Sequence, residues 1–131
     1  MDPRPAPRRL GEDGFASLQF VVAAGLAMLM VVGLVQVIAY QYVRGAVQVA
    51  LERGVRAGSV VGAGEAECRA AIADSLAAAL GGAVRDSLTV ECRAEPEAIA
   101  ATASGAVPAW MGPAPELGFT LGARAVREPP P

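Results

Sequence analysis

The chain has 131 residues, 53 % of them hydrophobic but only 5 % aromatic, and a formal net charge of -2. All 11 basic residues are arginine and there is no histidine, so no imidazole is available for acid–base work or metal ligation. With no basic patch interleaved with aromatics, no Gly-rich phosphate loop and no metal-ligand cluster in the sequence, the reading excludes a nucleic-acid partner, a cofactor, a small-molecule substrate and enzyme activity.

Residues 1–14 form a short leader. Its prolines and glycine, with Arg4, Arg8 and Arg9 set against Asp2, Glu12 and Asp13, predict a disordered segment that does not extend a helix. From Gly14 to Val43 there is no Asp, Glu, Lys or Arg. About 18 apolar residues already suffice to cross a bilayer, so Phe15 to about Ala39 is predicted as a transmembrane span. A secretory signal peptide would end its apolar stretch after about 7 to 15 residues, so the span is expected to stay in the mature chain. Counting basic residues gives Arg4, Arg8 and Arg9 before the span and Arg44, Arg53 and Arg56 after it, a tie that leaves orientation open.

Within the span, Gly25 and Gly33 lie eight residues apart on nearly the same helical face, where small side chains let a second helix approach; general Ala/Gly richness is the alternative source of the pattern. Gln36, Tyr40, Gln41 and Tyr42 then change the chemistry from aliphatic to amphipathic, as an interface belt does. No proline interrupts the chain before Val61, so one long helix over 15–61 is expected. Past the belt, Val43, Ala46, Val47, Ala50, Leu51 and Gly54 recur at helical spacing on one face, and Arg44, Gln48, Glu52 and Arg56 on another.

Residues 62–131 then predict a small α+β domain, with roughly 70 residues and a marginal core. Gly62 and Gly64 end the long helix, and Glu65 and Glu67 open a second, Glu65 to Leu80, stopped by Gly81-Gly82. Ser87 to Arg93 alternates as a half-buried strand with Leu88, Val90 and Cys92 facing one way. Glu95 to Pro115 reads as loop with a helical turn near Glu97 to Thr102, and Trp110 as a lid on the small core. Leu117 to Arg127 is a second strand, pairing with the first, and Glu128 to Pro131 a flexible end. A helix and two strands leave an open sheet edge and little core, which favours partner subunits. In an oxidising compartment the even count of Cys68 and Cys92 favours a disulfide; two unrelated buried thiols are the alternative, and without histidine they offer too few ligands for zinc.

The run Asp13-Gly14-Phe15-Ala16-Ser17-Leu18-Gln19-Phe20 resembles the processing site of type IV pilin-like proteins, in particular the TadE-like pseudopilins of tight-adherence (Flp) pilus systems. Ala50 to Gly58 is similar to the small-residue, arginine-containing segment that ends the long helix of that family. The resemblance covers residues 11 to about 61. It implies cleavage by a prepilin peptidase between Gly14 and Phe15, with Gln19 in the place where the family carries glutamate and Phe20 in the aromatic position. A glutamate there is thought to pair with a mature N-terminal amine; Gln19 can hydrogen-bond such an amine but cannot neutralise it. The resemblance further implies a cytoplasmic leader, a single-pass chain in the cell membrane with an extracytoplasmic domain, and other pilin-like subunits as partners. The expected function is that of a minor pseudopilin or pilus-assembly subunit. The alternative is an unprocessed, membrane-anchored envelope protein with a small protein-binding domain.

Overall fold

A computed structural model of the protein describes residues 3–4, 10–107 and 116–131. The chain divides into two compact units, Met1–Val37 and Ile38–Pro131. Six elements follow one another: α1 (Leu10–Ser59), α2 (Glu65–Ala79), α3 (Gly82–Asp86), β1 (Thr89–Ala94), β2 (Ala98–Val107) and β3 (Leu117–Val126). The architecture is α+β: a long apolar N-terminal helix, then a small helical segment and a three-stranded antiparallel sheet.

The first unit is the N-terminal part of α1. The helix begins at Leu10, upstream of the expected start at Phe15, so Leu10 to Gly14 are helical and the leader does extend it. No proline lies between Pro7 and Pro96, and adding residues to an existing helix costs far less than nucleating one. Its large apolar side chains are exposed, Phe15 at 69 % and Phe20 at 74 %. The stretch Gly14–Ser59 is long and apolar enough to cross a membrane, with a mean hydropathy of 2.6 in its most apolar window.

In the second unit the C-terminal part of α1 becomes the spine of a core. Val43, Val47, Ala50, Leu51 and Val55, spaced three and four apart, are buried on one face. Cys68, Ile72, Leu76 and Leu80 of the α2 segment repeat every fourth residue and meet them in one cluster with Cys92, Ile99, Ala101, Ala103, Val107 and Phe119 of the sheet. Burying each of the largest of these, Leu51, Ile72, Ile99 and Val47, contributes about 1.5–3 kcal/mol.

The strand order is β1-β2-β3, with both pairings antiparallel. This corrects the expectation of two strands: residues 98–107 form the central strand, not a loop with a helical turn. The outer strands therefore never pair with each other, since β2 lies between them and carries both ladders, Cys92 to Ala101 on one side and Ala101 to Ala123 on the other. Ile99, Ala101, Ala103 and Val107 face the core while Thr102 and Ser104 face out. The alternation is real, but alanine occupies both faces and hides it. α2 ends at Ala79, just before Gly81-Gly82 as expected, and a separate short helix, α3, follows for five residues before Ser87.

The end of α1 is closed by the far end of the chain. α1 stops at Ser59, two residues short of the expected Val61. Gly62 adopts φ 81°, a left-handed conformation open to glycine, and turns the chain toward α2. The Glu128 N–H donates to the Ser59 carbonyl at 3.0 Å, and the Arg127 N–H to the Glu97 carbonyl at 2.9 Å. The Arg127 guanidinium adds longer contacts to the Glu95 and Ala63 carbonyls at 3.5 and 3.4 Å. The segment after β3 is thus anchored through Glu128, and one helix-end carbonyl finds its donor there.

Candidate functional site

The residues singled out in the sequence fall into two groups that belong to different units. Gly14, Phe15, Gln19, Phe20, Gly25 and Gly33 all lie on the N-terminal part of α1. Helical spacing puts Phe15, Leu18, Gln19, Val22 and Ala23 around one shallow recess, so Gln19 is a polar group on an apolar surface. It is exposed. The Gly14–Phe15 bond lies inside the helix, five residues from its start. At Gly25 and Gly33 nothing among the described residues stands within 4 Å of where a Cβ would sit.

Cys68 and Cys92 lie in the second unit at disulfide distance, with S–S 2.06 Å and Cα–Cα 6.3 Å across 24 residues. They join the first turn of α2 to β1. Glu65 supports the same junction, accepting a hydrogen bond from the Ala94 N–H at 2.9 Å, and Glu67 accepts one from the Gly64 N–H at 2.7 Å. The two acids expected to favour the start of α2 through its dipole therefore also satisfy specific backbone donors.

The close helix contact made by glycine is at Gly54, which lies on the face expected to pack, and at Gly58, which was not placed on it. A Cβ on Gly54 would press on Ile72 Cγ1 and would stand 2.7 Å from Ile72 Cδ1 and 3.0 Å from the Cys68 carbonyl oxygen. One on Gly58 would stand 2.5 Å from Ile99 Cδ1, 2.9 Å from the Gly64 carbonyl oxygen and 3.1 Å from Cys68 Cβ. A Gly-x-x-x-Gly spacing was available in the sequence as the signal for this approach. Tyr40 and Tyr42, expected at an interface belt, make contacts within the unit as well. The Tyr40 ring meets Phe119 edge-on, with centroids 6.3 Å apart, and the Tyr42 hydroxyl donates to the Ala79 carbonyl at the end of α2 at 3.0 Å.

A cleft of about 600 Å³ opens between the end of α1, the β1–β2 turn and the chain after β3, beside Val60, Gly62, Pro96, Glu97, Val126 and Pro129. It holds no arrangement of nucleophile, base and orienting group. Among the described residues no three His, Cys, Asp or Glu side chains stand close enough to hold a metal ion. Trp110, expected as a lid, lies outside the described residues. No protein family, curated protein or solved structure matches this chain.

Proposed function

We propose that this protein is a TadE-like minor pseudopilin or pilus-assembly subunit of a tight-adherence pilus or secretion system. In this reading it is inserted in the cell membrane with its N-terminus in the cytoplasm and its α+β unit outside, and a prepilin peptidase cuts it between Gly14 and Phe15. The observation that carries the reading is the layout of α1: an exposed apolar half runs without interruption into a half whose one face, Val43 to Gly58, is the spine of a small disulfide-bearing unit. Such a chain anchors and displays a domain on one helix, and among the described residues it presents no group of three His, Cys, Asp or Glu that could hold a metal ion. Its chemistry is assembly: Phe15, Gln19 and Phe20 at the start of the mature helix dock against other pilin-like subunits, and Gly25 and Gly33 admit a neighbouring helix.

A second reading has its own support. Because α1 runs through Gly14 and Phe15, the bond to be cut is helical, which favours an unprocessed envelope protein with a small protein-binding unit. Mass spectrometry of the protein from its native host separates the two. Processing gives a mature chain beginning at Phe15; an intact leader beside an active prepilin peptidase rules the first reading out.

A further inference from the structure

We infer that the start of α1 is a conformational gate on processing, in which unwinding of residues 10–15 sets the rate of cleavage; this rests on the processing reading above. A peptidase acts on an extended segment, whereas here the Gly14–Phe15 peptide is in helical conformation. In an α-helix starting at Leu10, the Phe15 N–H is directed at the Gly11 carbonyl. Hydrolysis adds one water across the peptide, breaking the bond from the Gly14 carbonyl carbon to the Phe15 nitrogen and leaving a carboxylate on Gly14 and an amine on Phe15. That bond becomes available when the turn containing it opens.

The composition on either side fixes how far opening goes. Upstream, the first turn has N–H groups with no partner within the helix, and glycine at positions 11 and 14 lowers its helix propensity. Gly11 and Gly14 are exposed, and nothing among the described residues stands within 4 Å of a Cβ at either, so at these two positions the turn has no packing contact among the described residues. Downstream, Phe15 to Ala39 is uncharged, and unwinding it in lipid would leave backbone groups without partners. The boundary between cheap and costly unwinding therefore coincides with the scissile bond. Cleavage proceeds in proportion to the fraction of chains open there.

Gly11→Ala tests this three residues upstream of Gly14, leaving both residues at the cut unchanged and adding a methyl group into open space. The full chain is placed in lipid vesicles with a purified prepilin peptidase. Single-turnover cleavage is followed together with hydrogen exchange at the Gly14 and Phe15 amides. Both rates are expected to fall about fivefold in the variant, the effect of one Gly-to-Ala step in helix propensity. Slower exchange with an unchanged cleavage rate overturns the gate, as does slower cleavage with unchanged exchange, which would mean that Gly11 is read directly by the enzyme. A wild-type chain that the peptidase leaves intact overturns the processing reading itself, so the two failures are distinct.

Discussion

Three glycines on one helix, Gly45, Gly54 and Gly58, give opposite answers to the same substitution. Alanine in a helix is favoured over glycine by about 1 kcal/mol wherever its methyl group meets nothing. Gly45 is such a place, since nothing among the described residues lies within 4 Å of its Cβ position, and Gly45→Ala is expected to stabilise the unit by up to about 1 kcal/mol. At Gly58 the new methyl would press on the Gly64 carbonyl oxygen at 2.9 Å and on Cys68 Cβ at 3.1 Å. Neither can move freely, one being backbone and the other part of the cysteine junction. Overpacking costs about 1–3 kcal/mol, and here the upper end applies; after the helix gain, Gly58→Ala should destabilise by about 2 kcal/mol. Gly54→Ala presses on Ile72 Cγ1 and, at 2.7 Å, on Cδ1 of the same buried side chain, and meets the Cys68 carbonyl at 3.0 Å, so its net cost is similar, about 2 kcal/mol. Hydrogen exchange of the β2 amides in detergent-solubilised full-length protein reads the opening of this unit. Gly58→Ala should accelerate it about 30-fold and Gly45→Ala should slow it. Slower exchange in Gly58→Ala, as at Gly45, would refute the packing of α1 against Cys68 and Ile99.

Two further outcomes follow from the same core. Ile99→Ala empties a fully buried position facing Gly58 and should cost about 2–5 kcal/mol, whereas Thr102→Ala on the outer face of the same strand should change stability by less than about 0.5 kcal/mol; equal effects in chemical denaturation would mean that β2 does not alternate as described. Replacing both Cys68 and Cys92 by alanine should remove about 3 kcal/mol, the value for closing a loop of this length, and wild-type protein denatured without reductant should resist alkylation at both sites; modification of both thiols would show that no bridge forms.

How far each element could be read depended on the contrast between its residues. α2 was legible because Ile72, Leu76 and Leu80 stand out from alanines, serines and acids at helical spacing, and because Glu65 and Glu67 mark its start. β1 and β3 were legible for the matching reason: Leu88, Val90 and Cys92, and Leu117, Phe119 and Leu121, alternate with polar or small residues. β2 offers no such contrast, since Ala98, Ala100, Ala101, Ala103 and Ala106 occupy both faces and alanine has little β-propensity of its own. What makes 98–107 a strand is the pair of ladders it completes, one from β1 and one from β3, and that is a tertiary fact. At the candidate site, the residues around Gly14 and Gln19 were legible as a linear motif and the helix from Phe15 onward was expected, but the helical state of Leu10 to Gly14 was not.

The sequence by itself determined that one long helix, uncharged from Gly14 to Val43, dominates the chain, that a small α+β unit follows, and that its two cysteines fall at the start of a helix and on the buried face of a strand. Those properties are local: they depend on the absence of charge and proline over a continuous run and on the period at which large side chains recur. Only the tertiary structure decided that the central strand is the alanine-rich one, that Gly54 and Gly58 are the glycines where α1 meets α2 and β2, and that Glu128 at the far end of the chain satisfies the last carbonyl of α1. Each of these depends on which distant segment lies opposite, and a glycine or an alanine carries no mark of its partner until the chain has folded against it.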